Sequence, residues 1–401
     1  MSLLAFLWSL GAYCTQTLFD GFFLERVGAS ALPQAYFVTA VAACGIAALL
    51  WSLFKRFAPI TVLSTALGVM AVCCGVGAIL FAGGYGSQMG VWVWMASKVA
   101  TSVLVIVLST CFWACCDRVY GLSDATRLYG LFNAAVFAGD MVGGGLISVG
   151  LSTLHIAGIL VITALSLVAA FLFLKGQMAR WPDHRIVPAA DESHPLARGS
   201  FWKRVIASPF TLTLIMGYML VQLLCIVTQY NYMARFGDHF QNTEGELTAF
   251  LGQCTFFISF VNIFVNLFVY SRVVQRLGIN NVILACPIFF VATFIGWSIS
   301  ELMLVAICGL IAVKGFSETI DENNFNVLVN AVPTQLKEQI RITGSVFEPF
   351  GMLVSSLVLM VAAEHSHWLG LVVACATLSV MVLLRTSLRR ARTAGRPVAA
   401  Q

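Results

Sequence analysis

The sequence predicts an all-α membrane protein of twelve transmembrane helices, arranged as two pseudo-symmetric six-helix bundles. Hydrophobic residues make up 59% of the chain and charged residues only 10%, and the mean hydropathy is +0.89. This composition excludes an ordinary soluble globular protein. Apolar stretches of about 18 residues or more recur along nearly the whole chain, and each is long enough to cross the bilayer core as a helix.

The spans follow one another with short polar gaps between them. The closest neighbours are the ninth and tenth spans, where only residues 298–301 interrupt the apolar run. The first six predicted spans lie near residues 3–24, 33–54, 59–82, 90–115, 129–151 and 155–175. The second six lie near residues 209–232, 247–271, 279–299, 302–322, 341–363 and 367–385.

The longest polar stretch separates six spans from six and predicts a linker between two bundles. A short segment after the first span resembles one after the seventh span, and the start of the fifth span resembles the start of the eleventh. Nearly the same number of residues separates the two members of each pair. These matches favour a duplicated unit whose two copies are related by an axis along the membrane normal. The predicted domains are an N-terminal bundle at 1–175, a cytoplasmic linker at 176–208, a C-terminal bundle at 209–385 and a basic cytoplasmic tail at 386–401.

Basic residues cluster in alternate gaps between the spans, and the other gaps hold only Arg26 and Arg235. By the positive-inside rule, this alternation predicts cytoplasmic N- and C-termini in a plasma (inner) membrane protein. The net charge of +5 is therefore interpreted as a topology signal, and no nucleic-acid partner is expected.

Six ionisable residues lie inside these otherwise apolar spans. A charge at the centre of a bilayer helix costs at least about 2.5–3.5 kcal/mol, so such residues are rare and usually face a cavity or a partner. Carboxylates outnumber lysines by four to two, and an unpaired acid in a low dielectric favours its protonated form. The six residues are Asp20, Lys98, Asp140, Lys314, Glu318 and Glu348.

The charges recur at equivalent places in the two halves. From the helical rise, Lys98 on span four lies roughly 12 Å below the outer surface, and Asp140 on span five lies near the midplane. Lys314 on span ten and Glu348 on span eleven repeat this arrangement, with Glu318 as a supporting charge. Each lysine and carboxylate form either a structural ion pair or part of a solute and coupling-ion path.

Span eight carries an uncharged polar stripe on one helical face. Inside a bilayer, such a stripe either lines a solute path or bonds a neighbouring helix, and both interpretations remain open. Asp20, late in span one, is expected to act as a gate or as an interfacial charge. The stripe comprises Thr255, Ser259, Asn262 and Asn266.

Enzymatic activity is not expected. The sequence contains no phosphate-binding G-x-x-x-x-G-K-[ST] motif, and it shows no nucleophile–base constellation outside the membrane. The histidines fall in loops or at span ends, so neither a metal site nor a cofactor is predicted.

Three short segments resemble a known family. Twelve spans with a basic central loop look like the major facilitator superfamily. Asp20–Pro33 after span one and Arg127–Phe132 at span five resemble its branch of ATP/ADP translocases from obligate intracellular bacteria and plastids, and Arg341–Pro349 resembles allied modules. The translocases carry a lysine where this chain has Phe22 or Phe23.

The resemblance implies a secondary transporter that works by alternating access. Its expected substrate is a nucleotide or another small anionic metabolite, and the lysines favour this hypothesis. The excess of acids favours the alternative of a proton-coupled carrier of a small organic solute. A third hypothesis is a scaffold or sensor that keeps a transporter fold without transporting. The expected partners are a small-molecule substrate, possible coupling protons and the lipid bilayer. The sequence does not predict an oligomeric state.

Overall fold

The computed structural model describes residues 1–120, 122–178, 203, 205–206, 208–240, 245–300, 302–329 and 334–393. Side chains at 51–52, 55, 87, 117–118, 122–127, 178, 334–339, 341–348 and 390–393 lie outside the description. Within these residues the chain is helical and contains no strand. The first five helices are α1 (Ser2–Arg26), α2 (Leu32–Arg56), α3 (Pro59–Ala82), α4 (Val91–Val119) and α5 (Leu122–Met178).

The helices of the second half are shorter and more often interrupted. Two π-helical segments, Val265–Val269 and Ile311–Asp321, widen the turns within otherwise α-helical spans. The α-helices are α6 (Pro209–His239), α7 (Glu246–Phe264), α8 (Tyr270–Leu277), α9 (Ile279–Val282), α10 (Ala285–Ile299), α11 (Met303–Leu310), α12 (Glu322–Val329), α13 (Thr334–Ala362) and α14 (Ser366–Thr393).

Ten stretches of the described chain are long and apolar enough to cross a membrane, so the chain is an integral membrane protein. Two of them, Leu128–Gln177 and Pro349–Arg389, have 50 and 41 residues, about twice the length of one crossing. The first is broken at His155, whose φ of 55° and ψ of 176° are not helical. The second is broken by a 3₁₀ turn at Ala363–His365. Counting each as two crossings gives the predicted twelve.

Local sequence signals account for several helix ends. Pro33 and Pro59 lie in the first turns of α2 and α3, where a missing backbone N–H costs nothing. Gly278 follows α8 with a φ of 76°, a left-handed conformation that only glycine adopts without strain. Helices such as α4 extend beyond the predicted apolar span, because backbone hydrogen bonding does not stop at the hydrocarbon boundary.

Contacts divide the chain into two compact units. The N-terminal unit comprises Met1–Ala190 and Gly237–Leu267, so it includes α7. One apolar core of this unit packs side chains of α1, α3, α4 and α5, among them Trp8, Leu67 and Phe112. The C-terminal unit comprises Asp191–Phe236 and Phe268–Gln401. The predicted boundaries at residues 175, 208 and 385 stay a prediction, and most of the predicted linker lies outside the described residues.

Candidate functional site

A buried ion pair joins α4 to α1 in the N-terminal unit. Lys98 donates from Nζ to Oδ1 of Asp20, and the two residues are 3% and 8% exposed. The Tyr36 ring centroid lies 6.0 Å from Nζ, which adds a cation–π contact. Trp94, one turn before Lys98, packs against Phe22 and shields this region from solvent. Each charge therefore has its counter-ion within the unit.

Two sequence expectations need correction here. Similar depth in the bilayer suggested that Lys98 pairs with Asp140, but its partner is Asp20. Depth along the membrane normal does not specify which face of a helix a side chain occupies, and Asp140 faces α7 instead. Asp20 is not an interfacial charge either, since it is buried and paired.

Asp140 is a buried carboxylate with one hydrogen bond among the described residues. Its Oδ2 accepts from Ser259 Oγ on α7 at 2.7 Å, and the residue is 6% exposed. Its Oδ1 has no hydrogen-bond partner among the described residues, and no described lysine or arginine forms a salt bridge with it. A buried carboxyl group with one hydroxyl donor and no described counter-ion is rare within a membrane span, so Asp140 is a candidate functional group.

Glycines let three helices approach closely around Asp140. Gly139 and Gly143 face α1, where an added Cβ would lie 2.0 Å from Ser9 Oγ or 2.9 Å from Cys14 Cβ. Gly144 faces α7, where an added Cβ would lie 2.6 Å from the carbonyl oxygen of Gly252. Gly139 and Gly143 thus form a Gly-x-x-x-Gly packing face against α1, and Gly144 lets α5 pack closely against α7 as well.

Replacing Gly144 with alanine is expected to lower the melting temperature, with a cost of about 1–3 kcal/mol, because the new methyl group meets backbone atoms that cannot rotate away. Gly130 provides a matched control on the same helix, since an added Cβ there meets nothing within 4 Å. Thermal unfolding of the two purified variants checks the prediction. Equal melting temperatures would contradict it.

The polar stripe predicted on span eight faces protein. Thr255, Ser259 and Asn262 are buried, and Ser259 bonds α5 through Asp140. Asn266 is half-buried in the π-helical segment and donates from Nδ2 to the carbonyl oxygen of Asn262 at 3.0 Å. At Ser259 the stripe thus bonds a neighbouring helix. A solute-lining role for Asn262 and Asn266 stays a prediction.

Glu25 is a functional candidate that the sequence interpretation missed. Its Oε1 accepts from the backbone N–H and the hydroxyl of Thr248, at 3.1 and 2.9 Å, and its Oε2 accepts from the N–H of Gly245 at 3.1 Å. The carboxylate at the end of α1 therefore caps the N-terminus of α7, where backbone N–H groups and the helix dipole favour a negative charge. The sequence does not predict this role, because Glu25 lies at the end of a span, where a charge is usually solvated.

Replacing Glu25 with alanine is expected to expose the first turn of α7, because charge-assisted hydrogen bonds contribute about 1.5–3 kcal/mol. Hydrogen exchange of the amides at 245–250 should accelerate about tenfold or more. The control is Glu246→Gln, which removes an exposed acid from the first turn of the same helix. Unchanged exchange in the alanine variant would show that the cap contributes nothing.

The predicted charges of the second half occupy different environments. Lys314 lies half-buried in the π-helical segment Ile311–Asp321, whereas Glu318 is exposed. The Glu348 side chain lies outside the described residues, so its predicted role with Lys314 stays a prediction. The buried acid of this span is Asp321, 3% exposed, which hydropathy had placed at the end of the span.

Solved structures of other proteins resemble the fold of this chain. No family model matches the chain, and no curated protein does. A bacterial homologue of the iron transporter ferroportin, solved in an inward-facing state, has a TM-score of 0.61 at 15% identity, covering 96% of this chain and 98% of that one.

Two further solved structures agree with this likeness. The nucleoside transporter NupG has a TM-score of 0.61 at 12% identity, with 97% of this chain and 98% of that one covered. The POT family transporter PepTSo has a TM-score of 0.62 at 10% identity, with 98% of both chains covered. At such low identity these likenesses show the fold, and the chain has an all-α membrane fold of the major facilitator type.

Proposed function

We propose that the protein is a secondary transporter that moves a small solute by alternating access and couples this movement to protons through Asp140. The observation that carries the proposal is the buried Asp140 carboxylate, which has one hydroxyl donor, no salt bridge to a described cation and an unpartnered Oδ1. The fold supports it, because solved structures of this architecture include proteins named as transporters.

The surroundings of Asp140 suit a proton-binding group that changes environment during a cycle. Asp140 lies on α5, which α1 and α7 approach through glycine contacts, and its hydrogen bond from Ser259 crosses to α7. A separation of α5 from α7 would break that bond and admit water to the carboxyl group. Closure would restore the bond and exclude water again. Proton binding and helix contact are thereby linked.

Substrate chemistry follows from the charges that remain available. Lys98 is neutralised by Asp20, so in this structure it is not available to bind an anionic solute. A small organic solute, carried together with protons, is therefore the substrate class that we favour. The proposed setting is the plasma (inner) membrane, with both termini in the cytoplasm.

Exchange of a nucleotide or another anionic metabolite is a second candidate. Its support is the resemblance of Asp20–Pro33 to ATP/ADP translocases, together with Lys314 in the wide π-helical segment of the C-terminal unit. In this alternative, Lys98 would leave Asp20 to contact the anion during the cycle. The two candidates differ in their dependence on a proton gradient.

An uptake assay in proteoliposomes tests both candidates. The full chain is reconstituted, and uptake of labelled ATP, uridine and dialanine is measured with and without an imposed pH gradient. The proposal expects gradient-driven accumulation of a solute against its own gradient. Uptake that ignores the pH gradient and requires internal nucleotide would refute proton coupling and support the exchanger. Absence of uptake for every class of solute would favour the non-transporting scaffold.

A further inference from the structure

A second buried carboxylate lies in the C-terminal unit. Asp321 ends the π-helical segment and is 3% exposed. Tyr270 on α8 and Cys286 on α10 lie within electrostatic range of its carboxylate. No salt bridge joins Asp321 to any residue that the structure describes. Like Asp140, it is a buried acid without a salt bridge to a described residue.

Tyr270 and Asn324 form a polar cluster near Asp321. The hydroxyl of Tyr270 lies 3.1 Å from Oδ1 of Asn324, to which it donates a hydrogen bond. Asn324 follows Asp321 by three residues, which places the two side chains on the same side of the helix. The Nδ2 group of Asn324 is buried and has no hydrogen-bond partner among the described residues, and the residue is only 1% exposed. The cluster therefore retains an unused donor beside an acid.

The backbone around the cluster is also unusual. Tyr270 directly follows the π-helical segment Val265–Val269, and Asp321 closes the π-helical segment Ile311–Asp321. π-Helical turns are rare and are frequently found at functional sites, because their wider register costs stability and re-aims side chains. Both π-helical segments therefore adjoin the cluster of Tyr270, Asp321 and Asn324.

We propose that Asp321 is a second proton-binding site, in which Tyr270 and Asn324 position the carboxyl group. Asp321 takes up one proton on a carboxylate oxygen while the cluster is closed, and it releases that proton when the cluster becomes hydrated. Asn324 offers Nδ2 as the donor that can stabilise the charged form after release.

Other ionisable groups on the surrounding elements do not neutralise Asp321 by a salt bridge. Two of them are thiols, which supply no positive charge. The charged groups on its own span make interactions of their own. The groups are Cys286 from α10, Cys225 from α6, and Lys314, Glu318 and Glu322 from its own span.

This inference deepens the proposed function, because a second site raises the number of protons that one cycle can carry, but its test needs no substrate. Infrared difference spectra of the purified full chain are recorded between an alkaline and an acidic buffer. The wild type should show carboxyl C=O bands that grow on acidification, and Asp321→Asn should lose one of them. Glu364→Gln, which alters an exposed acid, should leave the bands from buried acids unchanged.

Thermal unfolding supplies a second reading of the same variant. Asparagine resembles a protonated aspartic acid in shape and charge. Asp321→Asn should therefore have the same melting temperature as the wild type near neutral pH. Asp20→Asn, which breaks an ion pair, should melt at a lower temperature. A band pattern identical to that of the wild type, or a melting temperature as low as that of Asp20→Asn, would overturn the inference.

The two proposals can fail separately. If the Asp321 band is present but wild-type uptake ignores the pH gradient, the proposed coupled transport is wrong and the proton site stands. If uptake follows the gradient and the Asp321 band is missing, the second site is wrong and the coupled transport stands.

Discussion

Asp140→Asn is expected to abolish accumulation driven by a pH gradient while leaving the protein folded. Asparagine keeps a polar group of the same size opposite Ser259 but cannot bind a proton. One coupled proton supports at most about tenfold accumulation per unit of pH gradient, since about 1.4 kcal/mol corresponds to a factor of ten. In the variant this ratio should fall to about one. Uptake into proteoliposomes under an imposed gradient measures it.

The control variant for this experiment is Glu364→Gln, which removes an exposed carboxylate between α13 and α14. It should retain the wild-type accumulation ratio. Ser259→Ala removes the hydrogen bond from Ser259 to Asp140 but keeps the acid, so it should alter the pH dependence of uptake without abolishing coupling. Full accumulation by the asparagine variant would remove Asp140 from the coupling mechanism.

Breaking the Lys98–Asp20 pair is expected to have the largest effect on stability. Lys98→Met leaves a buried carboxylate without its cation, and Asp20→Asn leaves a buried ammonium group without its anion. Each single change should cost about 3–5 kcal/mol, because an uncompensated charge stays in a low-dielectric environment. The double variant should recover most of that loss, since replacing both partners removes the buried charge altogether.

Thermal unfolding with a thiol-reactive fluorophore measures these effects, because seven of the twelve cysteines are buried and become reactive only on unfolding. A loss in the double variant equal to the sum of the two single losses would indicate that the two charges contribute independently. Transport by the folded double variant then separates the two candidate functions. Proton-coupled uptake should persist, whereas nucleotide exchange that depends on Lys98 should be lost.

Much of the fold was predictable because the bilayer imposes a strict length on each apolar segment. Pro59–Ala82 coincides with the predicted third span, and the division predicted between the ninth and tenth spans falls between Ile299 and Met303. The break predicted between the fifth and sixth spans lies at His155. Hydropathy could not reveal the π-helical segment Ile311–Asp321, because it reports burial in lipid and not the register of backbone hydrogen bonds.

The candidate site was predictable only in its composition. Buried charges could be recognised from the apolar residues around them, so Asp20, Lys98 and Asp140 were identified. Their partners depend on which helix faces touch, and one-dimensional depth cannot specify this. Glu25 and Asp321 were missed because each lies at the end of a predicted span, where a charge is usually solvated.

By itself, the sequence determined that the chain crosses a membrane many times and that it retains ionisable side chains where lipid disfavours them. Isolated charges and unsatisfied backbone groups are costly in hydrocarbon. Both features can therefore be recognised from the sequence. Only the tertiary structure decided that Lys98 is neutralised by Asp20, that Asp140 bonds Ser259 and that Glu25 caps α7. Electrostatic partnership depends on distances of a few ångströms between helices far apart in the chain, and that information arises only when the helices pack.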